Sequence, residues 1–359
     1  MKRPLRILFI HKDPCSRAYK EAVSLKRMGH TIDLACEALD DHPDIRNSLD
    51  KIYTYSTLDE LAAIIRAGHW DIIHGHNEPN EPTEVAIRNA NSCPVVFDCH
   101  DFRGLRQKLD DREKVTERCC FEESDGVIVV SDRMVQVVNQ YYAPKTTIAL
   151  PCFCLTSEMQ RVFKDKLPGN HMVYQGMLLD AGIYPLEYRN YHPFFKDFTE
   201  NGIDVHVYCS HFNPRVQGTY IDLQNATDRF HFHHYMPYAD LLEDMSQYQW
   251  GLTAFNVAEI TEEKRLTFLN SILPNKLFDY LFSGVTPIVC NNETAGAWVE
   301  EHDLGYYART EAEMLDIMLN EPPKPLMEDV SRISMEKHTK IVQDLYYTIL
   351  ADRQGQSRS

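Results

Sequence analysis

The sequence predicts an α/β protein with two domains, each built on a parallel β-sheet. Its 359 residues are 43% apolar, which is enough to fill two hydrophobic cores of ordinary size. Short apolar runs alternate with helical patterns along the chain, and this alternation is typical of parallel sheets with helical connections. We expect a first domain at residues 1–152, a second at 153–330, a helix at 331–352 that crosses back to the first domain, and a polar tail at 353–359.

The overall composition argues against several classes of protein. A net charge of −16 disfavours a general nucleic-acid binder. No apolar run approaches the roughly 20 residues that cross a bilayer, and the run after Arg6 is too brief for a signal peptide, so we expect a cytoplasmic protein. Ten cysteines without a Cys-x-x-Cys pair indicate reduced thiols, not a disulfide framework or a zinc site.

The N-terminal segment differs from the rest of the chain in charge. Residues 1–32 carry eight basic residues against two acidic ones. Such a segment suits an anionic acceptor or a peripheral contact with the inner face of the membrane. A solvated helix face is the more common explanation, and both interpretations stay open.

The chain opens with a strand, a helix and a second strand. An apolar run predicts the first strand at Leu5–Ile10, a helix follows at residues 17–28, and Thr31–Ala35 predicts the next strand. The loop after the first strand, His11–Ser16, contains no glycine, so it lacks the Gly-x-Gly-x-x-Gly pattern of dinucleotide-binding folds. A nicotinamide or flavin site on this loop is therefore not expected.

Two further strands of the first domain end in histidine and carboxylate side chains. The strand Trp70–His76 ends at His76, and the strand from Cys93 leads to His100 and Asp101. Ligands of open parallel sheets collect at the carboxyl ends of the strands, so these three side chains are candidates for catalysis. A lone histidine is more often structural, and His100 with Asp101 would also suit a metal pair, although two ligands make a weak site.

The first domain closes with one more strand, helix and strand. A buried strand is predicted at Ser124–Asp132, and its Ser131 can cap a helix over Arg133–Tyr141. The last strand is predicted at Thr146–Leu150, and Pro151–Cys154 is the expected hinge.

The most informative stretch of the second half is Ser271–Cys290, which predicts a short helix followed by a buried strand. Pro274 suits the first turn of the helix, and Gly284 suits the position just past its end. Lys276 and Asp279 share one face near the helix start, opposite an apolar stripe. Free N–H groups and the ammonium there suit a phosphate, and the carboxylate suits sugar hydroxyls. A surface helix with a Lys276 to Asp279 salt bridge is the alternative.

Part of this stretch reads Pro-Asn-Lys-Leu-Phe-Asp-Tyr-Leu-Phe-Ser-Gly-Val-Thr-Pro-Ile-Val. It resembles the nucleotide-binding helix of GT-B glycosyltransferases similar to glycosyltransferase family 4. Their motif often reads Pro-x-Lys-Leu-x-Glu-Tyr-x-x-x-Gly-x-Pro-Val. The resemblance implies two Rossmann-like domains facing across a cleft, the first on the acceptor side and the second binding a nucleotide sugar. It also implies that Asp279 binds the ribose and that His100 faces the transferred sugar, with His76 and Asn77 in the same active site.

The second domain departs from the family pattern where the diphosphate is normally held. The strand His171–Met177 resembles the one before the family's Gly-Arg-Leu loop, yet Met177 occupies the position of the usual arginine, and the usual lysine after it is missing. A leaving diphosphate needs positive charge or donors aimed at it. We assign this role to Lys276 first and Arg189 second, together with the N–H groups around Gly176.

The same resemblance points to further candidate cations for the diphosphate and to a second departure from the family pattern. Lys264 and Arg265 are the next candidates for the diphosphate, and Ser271 falls where the family has the first glutamate of a paired motif. Only half of that motif survives, so the sequence does not name the donor.

Three more residues are expected to contact the nucleotide. They are Asn275 in the helix, Phe255 at the end of one strand and Tyr235 at the end of another, beside the base. The predicted strand Phe230–Tyr235 contains three histidines, His231, His233 and His234, which would suit a zinc site. Alternating His and Phe, however, is typical of a half-exposed strand.

We therefore expect a glycosyltransferase of the hexosyltransferase type that moves a sugar from a nucleoside diphosphate sugar to a hydroxyl acceptor, in glycan or surface polysaccharide biosynthesis. The resemblance implies retention of anomeric configuration, no catalytic metal, no cofactor besides the donor, and a glycan or lipid-linked acceptor. Because three expected donor-site residues are absent, a non-catalytic GT-B subunit that binds a nucleotide sugar is the alternative. A nucleotide-sugar epimerase of the same fold is a weaker one.

Overall fold

The computed structural model of the protein describes residues 2–39, 46–156, 161–209, 213–234 and 236–356. The chain forms two compact units. The first comprises Met1–Ser157 and Ser334–Ser359, and the second comprises Glu158–Ile333. Across the described ranges, no helix has both the length and the apolar composition that crossing a bilayer requires.

The first unit is built on a parallel sheet of seven strands, in the order β3-β2-β1-β4-β5-β6-β7. The strands are β1 (Arg6–Ile10), β2 (Thr31–Cys36), β3 (Lys51–Thr54), β4 (Ile72–His76), β5 (Val95–Cys99), β6 (Gly126–Val129) and β7 (Thr147–Ala149). The central strands are buried along their whole length, which explains their runs of Val, Ile and Phe. The order changes direction between β1 and β4, so ligands are expected beyond the carboxyl ends of these two strands.

Helices connect the strands of the first unit. They are α1 (Ser16–Arg27), α2 (Leu58–Ala67), α3 (Glu81–Asn89), α4 (Arg103–Arg106), α5 (Asp111–Glu123) and α6 (Asp132–Tyr141). The predicted cap of α6 is present, because the Ser131 hydroxyl accepts a hydrogen bond from the Met134 backbone N–H at 2.9 Å. Asp110 and Glu113 form a capping box at the start of α5.

The second unit contains a parallel sheet of six strands, in the order β10-β9-β8-β11-β12-β13. The strands are β8 (His171–Gln175), β9 (Asp204–Tyr208), β10 (Phe230–His233), β11 (Trp250–Ala254), β12 (Thr286–Cys290) and β13 (Tyr306–Ala308). Here the order changes direction between β8 and β11. Gly176 follows the first of these strands and Phe255 the second, so both lie where such sheets bind ligands.

Helices also connect the strands of the second unit. They are α7 (His192–Glu200), α8 (Pro214–Ala226), α9 (Tyr238–Met245), α10 (Glu263–Ser271), α11 (Asn275–Phe282), α12 (Glu293–His302) and α13 (Glu311–Asn320). Helix α11 begins just after Pro274 and is followed by Gly284, whose φ of +69° favours glycine. Six of its eight residues are buried, so α11 is a core helix and not the solvated surface helix of the alternative interpretation.

The last helices of the chain return to the first unit. In place of the single helix predicted at 331–352, the structure has a 3₁₀ turn at Val330–Ile333, then α14 (Met335–His338) and α15 (Lys340–Gln356). The break has a local cause. Ser334 pairs with Cys154 in a β-bridge and its hydroxyl caps α14, so the backbone is extended at this point and a helix cannot run through it.

The basic residues at the start of the chain are largely neutralised by carboxylates. Seven of the eight form ion pairs within the first unit: Lys2 with Asp344, Arg3 with Asp71, Arg6 with Asp33, Lys12 with Glu37, Arg17 with Asp98, Lys26 with Asp50 and Arg27 with Glu336. The segment therefore presents much less free positive charge than its sequence suggests.

Candidate functional site

Four histidines gather in the first unit where the ligand edge of its sheet is expected. We call His11, His74, His76 and His100 the histidine cluster. His11 follows β1, two members lie on β4, and His100 follows β5, so neighbouring strand ends bring them together. The His74 and His76 rings stack with centroids 4.5 Å apart, and His11 lies 5.5 Å from His76 and 6.2 Å from His100.

A buried ion pair sits beneath the histidine cluster. The Asp98 carboxylate binds the Arg17 guanidinium, with Nη2 and Oδ2 separated by 2.9 Å, and both side chains are almost fully buried. Burial alone would raise the pKa of Asp98, but Arg17 and His100 lower that pKa well below its usual value. Asp98 is therefore an anion, and it also lies 3.6 Å from a ring nitrogen of His74.

Two other buried groups near Asp98 have pKa values shifted toward the neutral form. Burial and the nearby Asp98 raise the pKa of Glu21 well above its usual value, although Arg17 opposes the shift. Burial and the stacked His74 lower the pKa of His76 well below its usual value. His76 was predicted to be catalytic, and the structure places it fully buried on β4 as a neutral imidazole.

His100 has a different environment from the other members. Its side chain is 19% exposed, and Nδ1 lies 3.6 Å from the Asp98 carboxylate. Burial opposes its charge, yet Cys15 and Asp98 raise the pKa of His100 well above its usual value. Burial likewise opposes the Cys15 thiolate, but His100 and His11 lower the pKa of Cys15 well below its usual value. An imidazolium facing a thiolate is thus the favoured state of the pair.

Asn77 fixes the backbone that carries His100. Its side-chain oxygen accepts from the backbone N–H of His100 at 2.9 Å and of Asp101 at 3.3 Å. Its side-chain nitrogen donates to the Asp101 carbonyl. The Asp101 carboxylate itself is turned toward Arg106, 3.6 Å away, so the structure places it in an ion pair and not against the imidazole of His100. His11 and the neighbouring Cys15 are residues of this site that the sequence analysis did not single out.

In the second unit, Lys276 lies beside the end of β8. Its ammonium sits over the ring of Tyr174, 3.7 Å from the centroid. A Cβ added at Gly176, where φ is +125°, would be only 3.3 Å from the same nitrogen. Among the described residues the ammonium makes no hydrogen bond or ion pair, and burial and the nearby Arg189 lower the pKa of Lys276 well below its usual value. The Asp279 carboxylate opposes this shift but makes no direct ion pair with Lys276 within the described residues, so the amine lies at a ligand edge without a directly bound anion.

The other predicted cations, Arg189, Arg265 and Lys264, differ in their surroundings. Arg189 ends a 3₁₀ turn, lies 3.1 Å from the sulfur of Met177 and acts on Lys276 electrostatically. Arg265 is buried and paired with Glu187, so its charge is already neutralised. Lys264 is exposed on α10. Of the predicted cations, Arg189 is therefore the one that acts together with Lys276 near the end of β8.

Asp279 is buried one turn into α11. Its two carboxylate oxygens accept hydrogen bonds from the Gln175 amide, at 2.7 Å, and from the Tyr238 hydroxyl. Asn275 is exposed in the first turn of the helix. The carboxylate is thus held at the same edge as Gly176, which follows Gln175 in the chain.

The remaining predicted contacts lie around this edge. Phe255 is buried and packs edge-on against Tyr188, with centroids 5.5 Å apart. Tyr235 lies outside the described residues. A cavity of about 150 Å³ opens beside the end of β8 and is lined by Gln175, Gly176, Tyr208, Cys209, His234, Met236 and Leu241.

The histidines of β10 pair with groups other than a metal. His233 is hydrogen-bonded to His206 at 3.0 Å, and His231 lies 3.3 Å from Asp204. Each of these contacts engages one nitrogen of the β10 imidazole.

Comparison with known proteins agrees with the predicted class. Residues 17–151 match the family model described as Glycosyltransferase Family 4. A search of curated protein sequences found no significant match. The motif that suggested the resemblance, Pro274–Val289, lies outside the matched residues, so the two observations come from separate parts of the chain.

Solved structures share the fold over nearly the whole chain. Sucrose-phosphate synthase from Thermosynechococcus elongatus matches with a TM-score of 0.63 and 12% identity, covering 99% of this chain and 98% of that one. A glycosyltransferase from Rickettsia africae ESF-5 matches with a TM-score of 0.61 and 10% identity, covering 97% and 99%. UDP-GlcNAc 2-epimerase from Neisseria meningitidis, bound to UDP-GlcNAc, matches with a TM-score of 0.61 and 10% identity, covering 96% and 100%.

These likenesses define the class of protein. The chain has the GT-B fold, with one Rossmann-like parallel sheet in each unit, as the sequence predicted. Its resemblance to glycosyltransferase family 4 is confirmed by the match to the family model.

Proposed function

We propose that the protein is a glycosyltransferase that moves a sugar from a nucleoside diphosphate sugar to a hydroxyl acceptor. The observation that carries the proposal is the Lys276 amine beside Gly176, which lies at the start of helix α11 without a directly bound anion among the described residues, in a chain of this fold. Partial burial disfavours the charged form of this amine, so the site favours a ligand that brings negative charge. A diphosphate is such a ligand.

The diphosphate would be held by three kinds of donor. Lys276 and Arg189 supply positive charge, and the free N–H groups of the first turn of α11 supply hydrogen bonds. The two cations would take over from the arginine and lysine that the family pattern has after Gly176. As the bond to the sugar breaks, charge grows on the leaving diphosphate, and donors fixed at that point lower the barrier.

The nucleoside would occupy the same edge of the second sheet. Asp279 would exchange a present partner, Gln175 or Tyr238, for a ribose hydroxyl. Asn275 is close in sequence and exposed, so its side chain is free to approach the nucleotide. The small cavity beside Gln175 and His234 is suited to a flat ring, and it is the proposed place of the base.

The first unit would supply the group that contacts the sugar or the acceptor. His100 is partly exposed and its imidazolium is favoured, so it can donate a hydrogen bond to a sugar hydroxyl. We propose retention of anomeric configuration without a protein nucleophile or a metal, the leaving diphosphate itself assisting the acceptor. We also place the protein in the cytoplasm, acting in glycan or surface polysaccharide synthesis on a glycan or lipid-linked acceptor.

Two other functions compete with this one. Met177 and Ser271 stand where the family pattern has charged residues, which favours a non-catalytic subunit that binds a nucleotide sugar. Structural neighbours that are epimerases favour conversion of the donor sugar without transfer. Each predicts a different fate for a bound nucleotide sugar.

The test begins with binding and ends with product. Thermal unfolding of the protein is measured with UDP, GDP, ADP and CMP sugars, and the stabilising donor is then incubated with the enzyme and followed by NMR. Release of nucleoside diphosphate with slow donor hydrolysis supports the transferase, and a changed sugar on an intact nucleotide supports the epimerase. Stabilisation without turnover supports the binding subunit.

Variants assign the roles. Lys276→Ala and His100→Ala are expected to lose most of the activity, whereas Lys196→Ala, at an exposed lysine of the same unit as Lys276, should keep it. Unchanged rates in both of the first two variants would remove the proposed site.

A further inference from the structure

We propose that His11, Cys15 and His100 form a binding site for a single divalent transition-metal ion, with Zn²⁺ favoured by the ligand types. One sulfur and two imidazole nitrogens of these side chains lie within 4.8 Å of one another. Ligand atoms around a tetrahedral zinc ion are roughly 3.5 Å apart, since each is about 2.0–2.3 Å from the metal. Small side-chain rotations would therefore bring the three atoms into place.

The fold explains how distant residues reach one point. His11 follows β1, Cys15 is the residue before α1, and His100 follows β5. Strand β4 lies between β1 and β5 in the sheet, so the loop after β1 must reach across the end of β4 to meet His100. That loop, His11–Ser16, carries two of the three ligands.

An independent observation points to a missing ligand. His11 is only 3% exposed, yet among the described residues neither of its ring nitrogens has a hydrogen-bond partner. Nδ1 of His100 also makes no hydrogen bond in that part of the chain, although the Asp98 carboxylate lies 3.6 Å away. Buried polar atoms are nearly always satisfied, because leaving one unpaired costs free energy. A metal ion between these side chains would satisfy a nitrogen of each imidazole.

The chemistry of the donor set selects the metal. One thiolate with two imidazoles suits zinc, whereas calcium and magnesium require oxygen ligands. Three protein ligands leave a fourth position for water or another small ligand. The second cluster of potential ligands, Glu21 with His74, His76 and Asp98, is a weaker candidate. Its carboxylate at position 98 is already bound by an arginine, and it has no sulfur.

The site has a consequence for the transferase, and this part alone rests on the proposed function. His100 would serve either the metal or the sugar, because coordination removes the N–H that donates to a sugar hydroxyl. Transfer needs no metal in the proposed mechanism, so zinc would act as an inhibitor. No sequence motif marks this site, since the cysteine spacing resembles no zinc motif.

Cobalt provides a readout that does not depend on activity. The full-length, untagged protein is reduced, freed of metal with a chelator and titrated with Co²⁺, which gives a thiolate-to-cobalt charge-transfer band when sulfur is a ligand. We expect one equivalent of Co²⁺ to produce the band and one equivalent of Zn²⁺ to remove it. Cys15→Ser should abolish the band, and His11→Gln should weaken metal binding by roughly 10–100-fold or more.

A matched variant tests whether the cobalt band comes from a cysteine outside the proposed site. Cys93→Ser changes another partly exposed cysteine of the same unit and should leave the band and its stoichiometry intact. Circular dichroism establishes that each variant is folded before titration. Absence of the band in the wild type, or its survival in Cys15→Ser, would overturn the proposal.

An assay of transfer tests the consequence separately. Added Zn²⁺ should reduce transfer, and a chelator should restore it. If the band is present but zinc leaves transfer unchanged, the metal site stands and the competition for His100 is wrong. If no transfer is found under any condition, the proposed function fails while the cobalt titration still decides the metal site.

Discussion

Arg17 and Asp98 form a bidentate ion pair in the interior of the first unit. The arginine Nε lies 3.0 and 2.9 Å from the two carboxylate oxygens, and Nη2 lies 2.9 Å from one of them. Its Nη1 also donates to the carbonyl of Leu150 at 2.8 Å. This single side chain links α1, β5 and the segment after β7, so it holds together the elements that carry the histidine cluster.

Removing that guanidinium should be costly. Arg17→Met leaves the Asp98 carboxylate buried without its main partner, and breaking a buried pair in this way costs about 3–5 kcal/mol. Urea unfolding monitored by circular dichroism measures the loss. The matched variant is Arg88→Met, which removes the exposed pair with Glu123 and should cost no more than about 1 kcal/mol. Equal losses in the two variants would contradict a structural role for the buried pair.

Glycine at position 176 should be required for nucleotide binding. A φ of +125° is strained for any side chain, and the new Cβ in Gly176→Ala would crowd the Lys276 ammonium. The control is Gly182→Ala, where φ is +77° and nothing lies within 4 Å of the added carbon. We expect both variants to lose stability, on the order of 1 kcal/mol or more, from backbone strain. Calorimetric titration with a nucleoside diphosphate should show weaker binding only in the first.

Nucleotide binding should be linked to proton uptake at Lys276. Its pKa is lowered from 10.5, so between the lowered value and 10.5 the free protein carries less than one proton on this amine. A bound diphosphate favours the charged form and raises the pKa again, so binding takes up a proton in this window. Below the lowered pKa the amine is already charged and the uptake disappears.

Calorimetry in two buffers of different ionisation enthalpy measures this uptake. Lys276→Met should abolish it and weaken binding, whereas Lys196→Met, at an exposed lysine, should change neither. Proton uptake that persists in Lys276→Met would assign it to another group.

Asp279 should distinguish a ribonucleotide from its 2′-deoxy or 3′-deoxy analogue. A hydrogen bond from a ribose hydroxyl to a carboxylate is worth about 1.5–3 kcal/mol, so one of the analogues should bind correspondingly more weakly to the wild type. Asp279→Asn should bind the ribonucleotide more weakly and lose most of this discrimination. Asp222→Asn, at an exposed carboxylate of the same unit, serves as the control. Full discrimination in Asp279→Asn would exclude the ribose contact.

Features that depend on neighbouring residues in the chain were predictable. Apolar runs placed β4 and β5 and their polar ends, and proline and glycine placed both ends of α11. These signals are local, since burial and backbone conformation act over a few residues. The two-domain α/β class followed from the repetition of such signals.

Features that depend on strand order were not predictable. Cys15 and His100 are far apart in sequence. They come close because only β4 separates β1 from β5 in the sheet, so the loops after β1 and β5 lie at the same edge. Likewise, Arg189 and Arg265 look equivalent as cations, and only the structure shows that Glu187 neutralises the second. The break before α14 depends on a bridge to Cys154, which no helical pattern reveals.

Helix α15 gives the first unit an unusual order of assembly. Tyr346 hydrogen-bonds to His74, Gln343 reaches His30, and Ile349 packs at Gly126, yet these residues are synthesised after the whole second unit. Domains usually fold in the order in which they leave the ribosome. Here the first unit acquires its final layer only after the second unit has been synthesised, and until then the apolar surface that α15 covers is exposed to solvent.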